Sequence, residues 1–356
     1  MAITFKNARR GIAALLFVCF FMALSAPPSV AAIAHKEPFI NILKDKPILV
    51  FGHNNPDTDT TVGAIALAHL LNAIGRPAVA MAPFEGDLND ATIEVLKRFK
   101  LPTPERLGPV AGRQVAVVDF QQLTQAPPDM KEADVVMMVD HRRQPQADTL
   151  VGRPYEVWTQ LIGSANTVIY HMYQSYGVPI PQNIAQGMIS AIVLDTQLLS
   201  SVRTSARDVA AVKALNEIAK LPDPIALGKE LYTIKSGIGI KPIREVVLDD
   251  WKDFDHSNTK FGVTQIFVVD MSLFAKHKSE IFEQLRLLKT ERGLHSAFLM
   301  FTDVLTQETQ FLVVSDDPSW PAKAFNKEIK DDIITLPGVM SRSRQVIPPL
   351  EGALKK

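Results

Sequence analysis

Pro47-Ile-Leu-Val-Phe51, followed at once by Gly52-His53-Asn54-Asn55-Pro56-Asp57-Thr58-Asp59-Thr60, is the stretch that decides the fold. Its first part is a short apolar run, which reads as a buried strand. From Thr60 to Ile74 the apolar residues Val62, Ile65, Ala66, Leu70 and Ile74 recur at helical spacing, and Gly75 suits the stop. The loop between strand and helix carries one histidine and two aspartates. At these spacings they can converge on a point just beyond the strand end, and hard divalent ions accept carboxylate and imidazole together. Aspartates ahead of a helix also serve simply as caps. Spacing alone leaves both uses open for Asp57 and Asp59.

Outward from this segment the same pattern returns. Val115–Val118 and Val135–Val139 are two further apolar runs, ending in Asp119 and Asp140. Helical patterns separate several of the strands, as in a parallel sheet with crossover helices. Ligands of such sheets bind beyond the carboxyl ends of the strands, where His53, Asp119 and the Asp140-His141 pair fall. A helical stretch over Ile184–Leu199 is apolar nearly all round and yet contains Asp195. A carboxylate in such a setting needs a cation or several donors. Five aspartates and two histidines thus gather at one sheet edge, which suits two ions that share a bridging carboxylate.

A second block begins near Asp249, with strands expected at Thr264–Val269, Ala297–Phe301 and Phe311–Val314 and a helix near Lys278–Lys289. It reads as a smaller C-terminal α/β domain. Pro222, Pro224, Gly237, Gly239 and Pro242 accumulate between the blocks, so residues 222–248 are expected to be a linker and hinge. The larger domain then covers 46–221 and the smaller one 249–352.

The chain has 356 residues and 47% hydrophobic content, enough for two domains with cores. Its formal net charge is zero, and no basic stripe with interleaved aromatics offers a nucleic-acid surface. A small anionic substrate must be caught by a local site. Lys6, Arg9 and Arg10 precede an apolar run from Ile12 to Leu24, and alanines follow at 31, 32 and 34. That order is expected of a signal peptide over 1–34, cleaved on export to the periplasm or medium. The run is short for a membrane span of about 20 residues. The only cysteine, Cys19, lies in it, so the mature chain needs no disulfide.

Taken together, the GHNNPDTDT segment, Asp119, the Asp140-His141-Arg142 triplet, Asp195 and Ser341-Arg342-Ser343-Arg344-Gln345-Val-Ile-Pro-Pro349 resemble the manganese-dependent (family II) inorganic pyrophosphatases of the DHH phosphoesterase superfamily. The similarity covers about residues 46–352, and Ile162-Gly163-Ser164 before a helix also looks like that family. The resemblance implies an active site in the cleft between the two domains, which close over the substrate. It implies two or more Mn2+ ions, with Co2+ or Mg2+ as alternatives. His53 and Asp57 would hold the first ion, Asp59, His141 and Asp195 the second, and Asp119 would bridge them. Lys235 and Arg342 would meet the substrate. The implied reaction is hydrolysis of pyrophosphate to two phosphates by a hydroxide bridging the ions. A homodimer is compatible with the resemblance.

Three positions depart from the family pattern. Arg142 replaces the last histidine of the Asp-His-His triplet, Ser343 replaces the lysine of Ser-Arg-Lys with Arg344 next to it, and Phe120 replaces a histidine after the bridging aspartate. The site gains a permanent cation at Arg142 and loses one at Ser343. Arg142 is expected to fork two phosphate oxygens, with Arg344 beside Arg342 on the substrate. Two other activities stay in view: a short-chain polyphosphatase or other phosphoesterase on the same scaffold, and a non-catalytic metal- or phosphate-binding protein.

Overall fold

A computed structural model describes residues 46–143, 150 and 156–354. The export segment expected over 1–34 lies outside these residues. In chain order the first region contains β1 (Ile48–Gly52), α1 (Thr58–Ala73), β2 (Ala78–Ala82), α2 (Asp90–Arg98), β3 (Glu105–Arg106), β4 (Gln114–Val118), β5 (Asp134–Asp140), β6 (Glu156–Thr159), α3 (Ala165–Tyr176), α4 (Gln182–Asp195), α5 (Ala206–Ala219) and α6 (Pro224–Ser236). The second contains α7 (Ile243–Asp249), β7 (Lys252–His256), β8 (Thr259–Val268), α8 (Ser272–Glu291), β9 (Ser296–Asp303), β10 (Glu308–Ser315), α9 (Ser319–Phe325), β11 (Ile333–Pro337) and α10 (Ile347–Leu354).

The first six strands form one parallel sheet in the order β3-β2-β1-β4-β5-β6. Every residue of β1 and β4 is buried, as continuous apolar runs in a covered parallel sheet require. The chain leaves β1 toward β2 on one side and returns to β4 on the other. The gap between the C-terminal ends of β1 and β4 is therefore the topological switch point. His53 follows β1 and Asp119 follows β4, so both open into it. Helix α1 is buried over most of its circumference because it lies between the sheet and α3 and α4. Each buried Leu or Ile there contributes about 1.5–3 kcal/mol.

Gly52 closes β1 where strand and helix come closest. A Cβ added there would lie 2.0 Å from Thr60 Cγ2 and 3.1 Å from the Val118 carbonyl oxygen. Thr60 is fully buried, so it cannot retreat. Gly52→Ala is expected to destabilise the fold by about 1–3 kcal/mol through overpacking, which lowers Tm by roughly 1–4 °C in a calorimetric scan. An unchanged Tm would show that Thr60 can move.

The second region is a mixed sheet in the order β11-β10-β9-β8-β7, in which only β8 and β9 run parallel. The expected smaller α/β domain is present, with more strands than its apolar runs indicate. Two expectations need correction. Residues 222–248, expected as linker and hinge, hold α6 and α7. Leu227, Leu231 and Tyr232 of α6 belong to the core around α1 and α4, whereas Ile238, Ile243, Val246 and Val247 belong to that around α8. The change of core falls between Ser236 and Ile238. Secondly, the helix expected over Ile184–Leu199 ends at Asp195. Gln197, Leu198 and Leu199 then turn with φ of 51°, 58° and 63°. Three successive left-handed residues without glycine cost about 1–2 kcal/mol each. Burial of Leu198 against Val193 and the bare backbone of Gly228 offsets part of that cost.

The two regions touch directly. Val304 lies in the core cluster of the first region, and Phe267, Val269 and Met340 pack against it. Lys241 pairs with Asp90, and Gln307 Nε2 donates to the Ser200 carbonyl oxygen at 3.3 Å. No helix among the described residues is long and apolar enough to cross a membrane.

Candidate metal centre

Asp57 caps α1 and also faces a histidine. Its Oδ1 accepts from the Thr60 N–H at 2.9 Å and caps α1, while its Oδ2 lies 3.8 Å from His53 Nε2. His53 is oriented by its other ring nitrogen, Nδ1, which lies 2.8 Å from the Asn54 carbonyl oxygen. His141 repeats the device, with Nδ1 3.0 Å from the Ile162 carbonyl oxygen. In each case the second nitrogen is left directed at carboxylates, which is how metal-binding imidazoles are held.

Asp119 stands between them. Its Oδ2 lies 3.3 Å from His53 Nε2 and its Oδ1 lies 3.0 Å from His141 Nε2. The residue is fully buried and its φ is +67°. An aspartate tolerates that left-handed backbone at a cost of order 1–3 kcal/mol, a form of strain that clusters at functional sites. Thr60 Oγ1 donates to Asp119 Oδ2 at 3.1 Å, which ties the start of α1 to the end of β4.

Asp59 is held by the N-terminus of α3. It accepts from Ser164 Oγ at 2.5 Å, from the Ala165 N–H at 2.8 Å and from Asn166 Nδ2 at 2.8 Å. Ser164 is also the N-cap of α3, so the Ile162-Gly163-Ser164 motif presents a helix N-terminus to a buried carboxylate. Asp208 fixes that loop from behind. It accepts from the Gly163 N–H at 2.9 Å and from Thr167 Oγ1 at 2.7 Å. Asp195 ends α4 with Oδ2 3.4 Å from His141 Nε2. Asp140 serves the turn: its Oδ1 accepts from the main-chain N–H groups of His141 at 2.6 Å and Arg142 at 3.2 Å.

Two ligand sets result. His53, Asp57 and Asp119 form one, and Asp59, His141 and Asp195 the other, with the ligand atoms of each set within 4.8 Å of one another. Asp119, Asp140 and His141 also lie within 4.8 Å of one another, but Asp140 Oδ1 is engaged by backbone donors. Asp119 Oδ1, His141 Nε2 and Asp195 Oδ2 are buried without an aligned hydrogen bond. Buried polar atoms are rarely left so, and carboxylate oxygens converging on an imidazole nitrogen suit a divalent cation. The residues present therefore fit Mn2+.

The electrostatics agree. Burial works against a charge on either histidine, but Asp119 and the other acids outweigh it, so His53 is pushed up to about 9 and His141 to about 10. Burial alone would raise Asp119, but both histidines and Arg142 hold it well below the carboxylate range. Burial and the neighbouring Asp59 push Asp195 up to about 8. Burial and Asp119 likewise raise Asp59. Protons thus crowd into a site whose chemistry favours cations.

The chain is 34% identical over 311 residues to the manganese-dependent inorganic pyrophosphatase of Methanothrix thermoacetophila, covering 87% of this chain and 99% of that one. It belongs to the manganese-dependent inorganic pyrophosphatase family. The namesake of Methanocaldococcus jannaschii is 31% identical over 312 residues, covering 85% of this chain and 98% of that one. A Methanococcus jannaschii crystal structure, provisionally classed as a family II inorganic pyrophosphatase, superposes with a TM-score of 0.61 at 30% identity over 86% of this chain and 99% of that one. The DHH family, N-terminal domain, matches residues 47–192, and the DHHA2 domain matches 229–353.

The remaining expected site residues of this family member are placed less uniformly. Lys235 is exposed at the end of α6, and Arg344 is exposed in the π-helical turn Arg342–Val346. Neither forms an ion pair among the described residues. Arg342, expected on the substrate, is buried. Its Nη2 donates to Asp250 Oδ1 at 3.0 Å, and its Nη1 lies 2.9 Å from Asp250 Oδ2 and donates to the Asp250 and Val263 carbonyl oxygens at 2.5 and 3.2 Å. It lines a cavity of about 440 Å³ with Lys252, Gln265, Phe267 and Ser343. Arg142, expected to fork phosphate oxygens, lies against Asp119. Ser164 was visible as a motif, but Asn166 and Asp208 carry no signal of their own in the sequence. Both sit in an ordinary helical start.

Proposed function

We propose that this chain hydrolyses inorganic pyrophosphate to two phosphates, with Mn2+ as the working ion. The observation that carries the reading is Asp119: one buried carboxylate facing two imidazoles, each inside its own acidic set. A pure binding protein has no need of two sets joined through one residue. His53, Asp57 and Asp119 would hold one ion, and Asp59, His141 and Asp195 the other, with Asp119 common to both. When bound, such ions neutralise a polyanion and lower the pKa of water toward neutrality.

The chain's own residues do the rest. Ser164, Asn166 and the N-terminus of α3 hold Asp59 in place with hydrogen bonds to its carboxylate. The Nδ1 contacts of His53 and His141 fix the ring orientations. Lys235 and Arg344, exposed and unpaired with acids among the described residues, are the cations free to meet phosphoryl oxygens. Arg342 holds the π-helical turn that presents Arg344, by its fork on Asp250. The fork supports reading Arg342 as a positioning residue for that turn.

The test is phosphate release from pyrophosphate, tripolyphosphate and a dinucleotide by the purified chain with and without Mn2+. Pyrophosphate should be cleaved at least about ten-fold faster than the others, a margin of about 1.4 kcal/mol. A preference for tripolyphosphate or the dinucleotide would make the chain a polyphosphatase or phosphodiesterase on this scaffold. No metal-dependent turnover on any of them would leave a binding protein. The charged n-region, apolar run and alanines before His35 further support export of the mature chain. N-terminal sequencing of protein from the native cell should begin near His35, and an intact Met1 on soluble protein would overturn this.

A further inference from the structure

Arg142 is anchored from three sides. Its N–H donates to Asp140 Oδ1 at 3.2 Å, and its carbonyl oxygen accepts from Gln121 Nε2 at 3.3 Å. Its guanidinium then grips Asp119 twice: Nη1 donates to the main-chain oxygen at 2.7 Å, and Nη2 lies 2.9 Å from Oδ1. Asp119 is the residue held at φ +67°, so the Nη1 contact supports a strained carbonyl orientation. Oδ1 is the oxygen that faces His141, and through it the set with Asp59 and Asp195.

A guanidinium on this oxygen and a divalent ion beside the same oxygen are two cations competing for one lone-pair region. Asp119 is fully buried, so solvent screens their repulsion little at the shared oxygen, although the Arg142 side chain itself is partly exposed. Arginine cannot relieve it by losing a proton. A histidine at position 142 could.

We propose that Arg142 is a built-in competitor for the second cation. It holds Asp119 in its working geometry before loading and weakens affinity at the Asp59–His141–Asp195 set. Its role is positioning, acting through Asp119, and it sets how readily the second ion is taken up and released. This inference rests on the two-ion reading above.

The test uses the full mature chain, stripped of metal, with Mn2+ titrated calorimetrically into wild type, Arg142→Gln, Arg142→His and Arg142→Lys. Melting of the four metal-free proteins is recorded alongside. Removal of the permanent charge in Arg142→Gln and Arg142→His should tighten the weaker Mn2+ site at least ten-fold. Arg142→Lys keeps the charge and should keep wild-type affinity. All three lose the two-pronged grip on Asp119 and should melt several degrees lower without metal. If neither Arg142→Gln nor Arg142→His binds Mn2+ more tightly than wild type, the proposal is overturned. Wild type that takes up fewer than two Mn2+ would overturn the two-ion reading and this proposal with it. Pyrophosphate hydrolysis by wild type reports separately on the proposed activity.

Discussion

Asp119→Asn is expected to lower pyrophosphate turnover at least about 10³-fold, equivalent to roughly 4 kcal/mol of transition-state stabilisation. Asparagine fills the same volume and accepts a left-handed backbone. The fold should therefore survive, and the loss can be read as chemistry. What disappears is the negative charge that His53 Nε2 faces at 3.3 Å and His141 Nε2 at 3.0 Å. Each ligand set loses its shared anion, so the variant should also retain fewer ions than wild type. Phosphate release at saturating Mn2+, together with metal content by atomic emission, checks both parts. A variant with near-normal turnover and a full complement of ions would remove Asp119 from the centre of the site.

Metal removal should have the other large effect, on stability as well as on activity. Asp57, Asp59, Asp119 and Asp195 converge on two imidazoles, and two of their oxygens, Asp119 Oδ1 and Asp195 Oδ2, are buried without an aligned donor. An ion that binds only the folded chain stabilises it by mass action, by about 4 kcal/mol per site at a thousand-fold excess over Kd. For a chain of this size each site then raises Tm by roughly 5–6 °C. Calorimetric scans in excess MnCl2 and in excess chelator should differ by at least that much. Turnover should vanish in the chelator and return on adding Mn2+. Coincident scans would mean that the carboxylates do not bind an ion tightly in the folded state.

Much of the sheet and of the ligand set was legible because both obey strong local rules. β1, β4 and β5 are buried on both faces, so they appear as unbroken apolar runs, and the residues after them must lie at the sheet's carboxyl edge. Asp195 stood out because nothing in an apolar helix explains a carboxylate. β2 and β6 are only partly buried: β2 is built mostly of alanine and β6 mixes polar with apolar residues, so neither reads as a run of bulky apolar side chains. The end of α4 at Asp195 was hidden for a different reason. Gln197, Leu198 and Leu199 have ordinary helical propensity, and only tertiary packing against Val193 and Gly228 forces them into the left-handed region. The helices within 222–248 were masked by their own boundary residues. Pro224 lies at the N-terminus of α6 and Gly237 at its C-cap, so the punctuation that suggested a linker marks the ends of a helix. The partners that Arg142 and Arg342 hold in this structure were not legible from sequence. A long side chain reaches several partners, and the partners that won, Asp250 and Asp119, are 92 and 23 residues away along the chain.

The left-handed backbone at Asp119 has a consequence for descent. Glycine occupies such a position without steric cost, and asparagine, aspartate and histidine do so at less cost than most residues; the codons of asparagine and glycine are single-base neighbours of aspartate's. A lineage under no pressure to keep the chemistry would drift to one of those two, losing activity in one step while retaining solubility and domain structure. Inert descendants of this architecture should therefore accumulate easily, and residue 119 is where a genome reader should look first to tell a working copy from a silent one.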